Sequence, residues 1–309
     1  MSAAAAPARA SRQGLRAKVD WGNLSPLRLR VRILADGVWA GAHRSARRGT
    51  GIEFGGFREY VPGDDLRFLD RRSLLRFERL QVRQFETETD RAVRLLVDAT
   101  TSMAYVGSRA IASKYAYASL LAAALAHVAS ASGDPFGLAF LAGEKRTMLP
   151  LARGREAFER IVAALESQTA LGDGRGSAQQ QILDSIDLAA KSSRRGSVIA
   201  VFSDLADLPV QSVERLAALA ARNRRAVVVR VNDPDELDFP FEGSLRLRSL
   251  EGNEVVETDG QAKARYQERF LAWERSLEDT LVPRGVRLVY VATNEEPEKA
   301  LRRILTALL

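Results

Sequence analysis

The chain has 309 residues, of which 46% are hydrophobic and 28% charged, a composition typical of one or two globular domains. It contains no cysteine and two histidines, His43 and His127, which excludes disulfide scaffolds, thiolate metal sites and cysteine nucleophiles. Any chemistry must therefore rest on carboxylates, hydroxyls, basic side chains and backbone groups.

The formal net charge of +7 is concentrated at the start of the chain. Residues 1–48 carry a net charge of +8, and the rest of the chain carries −1. We predict that residues 1–48 form a basic, partly disordered segment that becomes ordered near Leu27. It has no aromatic interleaving or known motif for nucleic acid, so we expect no nucleic-acid partner, although a salt-dependent interaction stays open as an alternative.

Residues 1–48 are also where a targeting signal would lie. The beginning of this segment lacks the apolar stretch of a secretory signal, and its Arg- and Ala-rich composition also fits an organellar transit peptide. A bilayer span needs about 20 apolar residues in sequence, and the best candidate, residues 119–131, is too short. We expect a cytoplasmic protein without a membrane span, in which residues 119–131 form a buried helix.

Residues 49–92 are rich in Gly, then in Arg and Phe, and contain the turn sequence Val61-Pro-Gly-Asp64. This pattern predicts a β-rich extension.

Residues 93–309 alternate short apolar runs with amphipathic stretches, which predicts an α/β fold with a doubly wound, mostly parallel sheet. The runs of strand length are Val93–Asp98, Phe136–Ala142, Ser197–Asp204, Ala226–Val231 and Val286–Ala292. Residues 232–260 contain Pro and Gly around an alternating run, which predicts a hairpin insertion. Helical patterns over residues 266–277 and 300–308 follow.

Two of the predicted strands end in an aspartate, Asp98 and Asp204. The ligand crevice of an open parallel sheet lies beyond the carboxyl ends of its strands, so both carboxylates are expected there. The hydroxyls of Thr100 and Ser102 follow Asp98 at alternate positions. Carboxylates and hydroxyls together suit a hard divalent cation such as Mg²⁺. A strand-terminal Asp followed by Thr and Ser is also a common helix N-cap, which is the alternative interpretation.

Several enzyme classes do not fit the residue inventory. The chain lacks the G-x-x-x-x-G-K-[ST] motif of P-loop proteins, and a Ser-His-Asp triad would depend on His43 or His127. The strongest enzymatic alternative is a Mg²⁺-dependent phosphohydrolase with Asp98 as nucleophile. Such enzymes have a second carboxylate two residues later, where this chain has Thr100. We therefore predict a protein that is not an enzyme.

A set of motifs carries a resemblance to a known family. The most specific is Arg58-Glu-Tyr-Val-Pro-Gly-Asp-Asp65, for which we predict a structural role in bracing the extension. The sequence resembles the bacterial and archaeal family catalogued as domain of unknown function 58. Further matches are Gly49–Phe54, Asp98-x-Thr100-x-Ser102, Lys114, Gly133-Asp134, Ser203-Asp204 and Asp233-Pro234-x-Glu236.

The resemblance implies a von Willebrand factor A-like domain with a metal-ion-dependent adhesion site that binds Mg²⁺ or Mn²⁺. The ligands it implies are Asp98, Thr100, Ser102, Ser177 and Asp204, and an acidic residue of a partner completes the coordination. It also implies a MoxR-type AAA+ ATPase as partner and a client protein complex that is assembled or matured. Thr100 stands for the usual Ser and Ser177 for the usual Thr, so both positions keep an oxygen donor. Many relatives carry an N-terminal membrane hairpin, and its absence here favours a cytoplasmic form.

Overall fold

The computed structural model describes residues 24, 26–42, 53–61, 69–70, 80–86, 91–143, 148–170, 177–206, 208–241, 246–248, 255–257 and 261–308. The chain forms two compact units. One comprises Met1–Trp39 and Arg91–Leu309, and the other is Ala40–Asp90. The predicted division at residues 48 and 92 stays a prediction.

The smaller unit contains a three-stranded antiparallel sheet. Its strands are β1 (Glu53–Glu59), β2 (Leu69–Asp70) and β3 (Gln81–Glu86), in the order β1-β3-β2. The Tyr60 N–H donates to the Leu80 carbonyl at 2.9 Å and continues the pairing of β1 with β3. The predicted turn falls largely on residues 62–64, which lie outside the described residues.

The larger unit is built on a six-stranded sheet. Its order is β11-β8-β7-β4-β5-β6, and all neighbours are parallel except β5 and β6. The strands are β4 (Val93–Asp98), β5 (Phe136–Leu141), β6 (Met148–Ala152), β7 (Val198–Ser203), β8 (Arg225–Asn232) and β11 (Val286–Ala292). This arrangement confirms the predicted fold class. The pair β9 (Arg246–Arg248) and β10 (Val255–Glu257) forms the predicted antiparallel hairpin.

Strand β6 was not predicted from the sequence. It contains Pro150, which lacks a backbone N–H and therefore weakens a strand signal. The position is tolerated because β6 lies at the edge of the sheet, where one row of backbone groups has no neighbouring strand.

Helices cover both faces of this sheet. They are α1 (Leu27–Ala42), α2 (Lys114–Ala131), α3 (Gly154–Ser167), α4 (Ser177–Ser192), α5 (Val210–Ala217), α6 (Pro234–Asp238), α7 (Ala262–Leu281) and α8 (Pro297–Leu308). Side chains of α1, α2, α3 and α8 pack into one apolar core, and those of α4, α5 and α7 into the other. Consecutive strand residues face opposite sides, so Leu95 and Val97 belong to the first core and Leu96 to the second. Strands buried on both faces are mostly apolar, which explains their hydrophobic runs, although β4 includes the buried Arg94 and β8 the buried Arg230.

Two helices bear on the predictions made for residues 119–131 and for the start of ordered structure near Leu27. Helix α2 includes residues 119–131, and most of its side chains are buried, as predicted. Helix α1 was not assigned from the sequence, although it begins at Leu27, where order was expected. Within the described part of the chain, no helix has the length and apolar character needed to cross a membrane.

Candidate functional site

The site lies between β4 and β7, where the chain order of the sheet reverses. The chain runs from β4 to β5 on one side and later returns to β7 on the other. The two strands are parallel and in register up to Val97 and Phe202, so their carboxyl ends lie side by side. Asp98 ends β4 and Asp204 follows β7 directly. Ligands of doubly wound folds bind at this reversal point, which makes the location predicted from the sequence a site candidate.

Asp98 is fully buried and held by two donors. The Thr100 N–H donates to Oδ1 at 2.9 Å, and the Ser203 hydroxyl donates to Oδ2. Burial disfavours the charged form, and the nearby Asp204 carboxylate adds repulsion, so the pKa of Asp98 is raised to about 7. The side chain is positioned for binding, yet its negative charge lacks full compensation.

The loop after Asp98 carries the two predicted hydroxyls. Oγ1 of Thr100 and Oγ of Ser102 lie 3.1 Å apart, and Ser102 is hydrogen-bonded to the Asp204 carboxylate. A 3-10 turn over Thr101–Ala104 follows, anchored by the buried side chain of Met103. Thr100 is fully buried, whereas Ser102 is partly exposed. Four of the five predicted ligands therefore meet at one place.

Asp204 is held by a buried lysine. Nζ of Lys114 donates to Oδ2 at 2.7 Å, and the Ala206 N–H donates to Oδ1 at 3.0 Å. Burial by itself would raise the pKa of Asp204, but the charge and hydrogen bond of Lys114 outweigh it and leave the pKa lowered. The two aspartates are thus unequal, since Asp204 has a cationic partner.

Lys114 connects the site to a second group of residues. It is the first residue of α2, after the N-cap Ser113, and its Nζ also donates to Oε1 of Glu236 at 2.6 Å. Burial alone would lower the pKa of Lys114, but the two carboxylates outweigh it, so the pKa is raised. Lys114 and Glu236 both belong to motifs that match the family, but the sequence predicted no role for either residue. Because 122 residues separate the two in the chain, no local sequence pattern indicated that they are in contact.

The segment that carries Glu236 also holds the loop before α2. Asp233 caps α6 in a capping box with Glu236, and its Oδ2 accepts the Gly107 N–H at 2.8 Å. Asp235 accepts the Ser108 N–H at 2.7 Å and pairs with Nε of Arg109 at 2.9 Å. We call residues 233–236 the acidic cap. It fixes the backbone between the Asp98 loop and Lys114.

The fifth predicted ligand stays a prediction. Ser177 is the first residue of α4, but its side chain and residues 171–176 lie outside the described part of the chain.

The oxygen donors around Asp98 fit a hard divalent cation in chemical type. Three carboxylates, those of Asp98, Asp204 and Glu236, lie in this network, and among the described residues Lys114 is the cation that contacts Asp204 and Glu236. When all three are ionised, the carboxylates exceed the ammonium by two formal negative charges in a largely buried place, and a bound cation would offset this excess. The described residues contain no group of three or more His, Asp or Glu side chains arranged to hold a metal. A metal here would depend on the hydroxyls of Thr100 and Ser102 as well as on carboxylates.

Three solved structures are similar to this chain at low sequence identity. BatB from Bacteroides thetaiotaomicron is 19% identical, with 71% of this chain and 98% of that chain covered and a TM-score of 0.46. An aerotolerance-related membrane protein from Bacteroides fragilis is 20% identical, with the same coverage and a TM-score of 0.47. The VWA domain of SpRpn10 is 13% identical, with 69% and 94% covered and a TM-score of 0.36. The fold assignment itself rests on the strand order described above.

Sequence comparison gives the family. An uncharacterized protein of Mycobacterium tuberculosis (strain ATCC 25618 / H37Rv) is 28% identical over 234 residues, which cover 76% of this chain and 72% of that protein. An uncharacterized protein of Mycobacterium bovis matches to the same extent. The family model described as "Protein of unknown function DUF58" matches residues 56–276, more than half of the chain. Because this match covers more than half of its residues, the chain belongs to the DUF58 family.

Proposed function

We propose that this protein is a metal-ion-dependent protein-interaction adaptor without catalytic activity of its own. In this proposal it acts in the cytoplasm with a MoxR-type AAA+ ATPase in the assembly or maturation of a client protein complex. The observation that carries the proposal is the meeting of Asp98, Thr100, Ser102 and Asp204 at the reversal point of the sheet.

The charge of the site supports a cation as its ligand. Asp98 is buried beside a second carboxylate, and the hydrogen bonds from Ser203 and Thr100 orient it without neutralising it. Oxygen donors of this kind suit Mg²⁺, and Mn²⁺ shares the preference. Imidazole and thiolate ligands are absent from the cluster, so metals that require nitrogen or sulfur fit less well.

The exposure of the site supports a role in binding a partner. Asp98 and Thr100 are fully buried and Asp204 nearly so, whereas Ser102 is partly exposed at the rim. The chain's residues therefore hold one side of the site rigidly and leave another side accessible. A bound Mg²⁺ would supply an open coordination position for an acidic side chain of the partner.

The environment of Asp98 argues against the phosphohydrolase alternative. Both carboxylate oxygens accept hydrogen bonds, and the side chain is fully buried, which leaves little room for attack on a phosphate ester. The position two residues later is Thr100, which cannot serve as the second carboxylate of such enzymes. These features favour a binding role.

Calorimetric titration with Mg²⁺ and Mn²⁺ tests the metal site. We expect saturable binding by the wild type and none by Asp98→Ala, with Asp184→Asn, an exposed carboxylate on α4, as the matched control. Equal binding by wild type and Asp98→Ala, or binding by neither, would contradict the proposal. Hydrolysis of a generic phosphate ester that disappears in Asp98→Asn would instead support the enzymatic alternative.

The ATPase partner is inferred from the family resemblance alone, so it needs a separate test. Affinity purification of the tagged protein, with Mg²⁺ and with a chelator, reports partner identity and metal dependence together. We expect a MoxR-type ATPase that is recovered with Mg²⁺ and depleted by the chelator. Recovery that does not depend on the chelator or on Asp98 would separate partner binding from the metal site.

A further inference from the structure

Two sequence motifs that the proposed function leaves without a role meet at the site. Lys114 starts α2, and the acidic cap, Asp233–Glu236, contains the start of α6. Nζ of Lys114 lies 2.7 Å from Oδ2 of Asp204 and 2.6 Å from Oε1 of Glu236. One ammonium group is therefore shared between an expected metal ligand and a carboxylate outside the ligand set.

The Lys114 ammonium is isolated from solvent. Its side chain is 1% exposed and Asp204 is 3% exposed, whereas Glu236 is 31% exposed. On another side the ammonium lies 5.8 Å from the centre of the Tyr105 ring, a cation–π distance. Solvent screens buried charges weakly, so Lys114 acts strongly on any ion bound beside Asp204.

Glu236 is held firmly in its position. Its Oε2 accepts the Asp233 N–H at 3.1 Å, and its backbone carbonyl accepts the Tyr266 hydroxyl at 2.9 Å. Asp233 in turn accepts the backbone N–H groups of Gly107 and Asp235. The acidic cap thus presents one carboxylate to Lys114 in addition to that of Asp204, and the pair of Lys114 and Glu236 has a defined geometry.

We propose that Lys114 and Glu236 are positioning residues that set the cation affinity of the site with opposite sign. Lys114 and the incoming cation both contact Asp204, and the positive charge of Lys114 repels the cation and weakens its binding. Glu236 partly offsets the positive charge of Lys114 and so strengthens the binding of the cation. This inference rests on the proposed metal-dependent function. With Lys114 neutralised, the network of Asp98, Asp204 and Glu236 has three negative charges without a cation. With Glu236 neutralised, the excess falls to one.

Two variants that keep side-chain shape test the inference. Lys114→Met keeps the length of the chain without its charge, and Glu236→Gln keeps the acceptor for the Asp233 N–H. Asp238→Asn is the matched control, since Asp238 lies on the same helix and pairs with Arg109 without contacting Lys114. Calorimetric titration of the full-length proteins with Mg²⁺ and with Mn²⁺ gives the affinities, and circular dichroism checks the fold.

The expected result is a pair of opposite changes. Lys114→Met should bind about tenfold or more tightly than wild type, and Glu236→Gln about fivefold or more weakly, because ligand charge count sets cation affinity. Asp238→Asn should stay within about twofold of wild type, because its charge is exposed and screened. A merely structural role of the pair predicts weaker binding in both variants.

The remaining outcomes distinguish a failure of the inference from a failure of the proposed function. If wild type binds metal and both variants bind equally well, or both more weakly, the inference is overturned and the proposed function stands. If wild type binds none and Lys114→Met binds, the inference stands and the metal-dependent function of the wild type is overturned. If none of the proteins binds, both are overturned. Should Lys114→Met not fold, an unchanged affinity of Glu236→Gln overturns the inference, and a selective loss relative to Asp238→Asn supports it.

Discussion

At the scale of single residues, the site is governed by the unequal surroundings of two carboxylates. Asp204 has the ammonium of Lys114 at 2.7 Å, whereas Asp98 has hydrogen-bond donors from Ser203 and Thr100. A neutral donor stabilises a carboxylate less than a cation does in a buried place. Of these two carboxylates, Asp98 is therefore the one whose protonation should affect the folded protein more.

The pH dependence of the free energy of unfolding should reflect the protonation of Asp98. Folding raises the pKa of Asp98 to about 7, against about 3.9 in an unfolded chain. Between these values the folded state binds the extra proton, so the contribution of Asp98 to stability is greatest at low pH and is lost as the pH rises toward 7. The free energy of unfolding of metal-free wild type, minus that of Asp98→Asn, should fall by at most about 1.4 kcal/mol per pH unit.

Denaturant unfolding at several pH values from about 4.5 to about 8 measures this difference. Asp184→Asn, which removes an exposed carboxylate, should show a difference that hardly changes with pH. A wild-type advantage over Asp98→Asn that grows with pH would mean that the pKa of Asp98 is lowered, contrary to expectation.

At the scale of elements, the acidic cap explains how a loop without regular structure holds its position. Residues 105–113 connect the Asp98 loop to α2. The Gly107 N–H donates a hydrogen bond to Asp233, and the Ser108 N–H donates one to Asp235. Arg109 adds contacts to Asp235 and to the Pro234 carbonyl. Because the same cap carries Glu236, the loop and Lys114 are held by one element.

Gly107 is the position in this loop where a side chain cannot be accommodated. A Cβ atom there would lie 2.2 Å from Oδ1 of Asp233 and 2.6 Å from Oδ2 of Asp235, both of which are buried and hydrogen-bonded. We expect Gly107→Ala to lower the free energy of unfolding by about 1–3 kcal/mol, as overpacking does. Chemical denaturation measures the loss, and Val106→Ala, at an exposed neighbour, should have little effect.

At the scale of the whole molecule, the larger unit is assembled from distant parts of the chain. Helix α1 packs into the same apolar core as α2, α3 and α8, although the separate unit Ala40–Asp90, which begins in the last turn of α1, precedes β4 in the chain. The Leu27 N–H donates to Glu166 of α3, and Arg28 pairs with Glu159 of the same helix. The stability of the larger unit should therefore depend on the N-terminal helix.

A matched pair of leucines on α1 tests this dependence. Leu27 is fully buried and Leu29 is 55% exposed. We expect Leu27→Ala to cost about 2–5 kcal/mol of unfolding free energy, because it removes buried apolar surface and leaves a cavity. Leu29→Ala should change the stability by less than about 1 kcal/mol, since its side chain is largely in water. Equal effects of the two substitutions in thermal or chemical denaturation would show that α1 is not part of the cooperative unit.

Much of the fold and part of the site could be predicted from local sequence signals. The strands β4, β5 and β7 are buried on both faces, so each is mostly apolar in sequence, with Arg94 as the exception in β4. Asp98 at the end of β4 and Asp204 just after β7 mark the carboxyl edge of the sheet. Hydroxyls at alternate positions of one loop are also a local pattern, and the structure brings Thr100 and Ser102 together beside the two aspartates. The edge strand β6 was not predicted, because Pro150 interrupts the apolar pattern that is typical of a strand.

The sequence by itself determined the fold class, the family and an oxygen-rich cluster at the end of two strands, because burial and chain reversal leave local patterns of apolar and polar residues. Only the tertiary structure decided that Lys114 pairs with Asp204 and Glu236, which are 90 and 122 residues away. It also decided that the acidic cap holds the loop before α2. Electrostatic pairs across such distances depend on how the strands and helices pack, and no spacing along the chain encodes them.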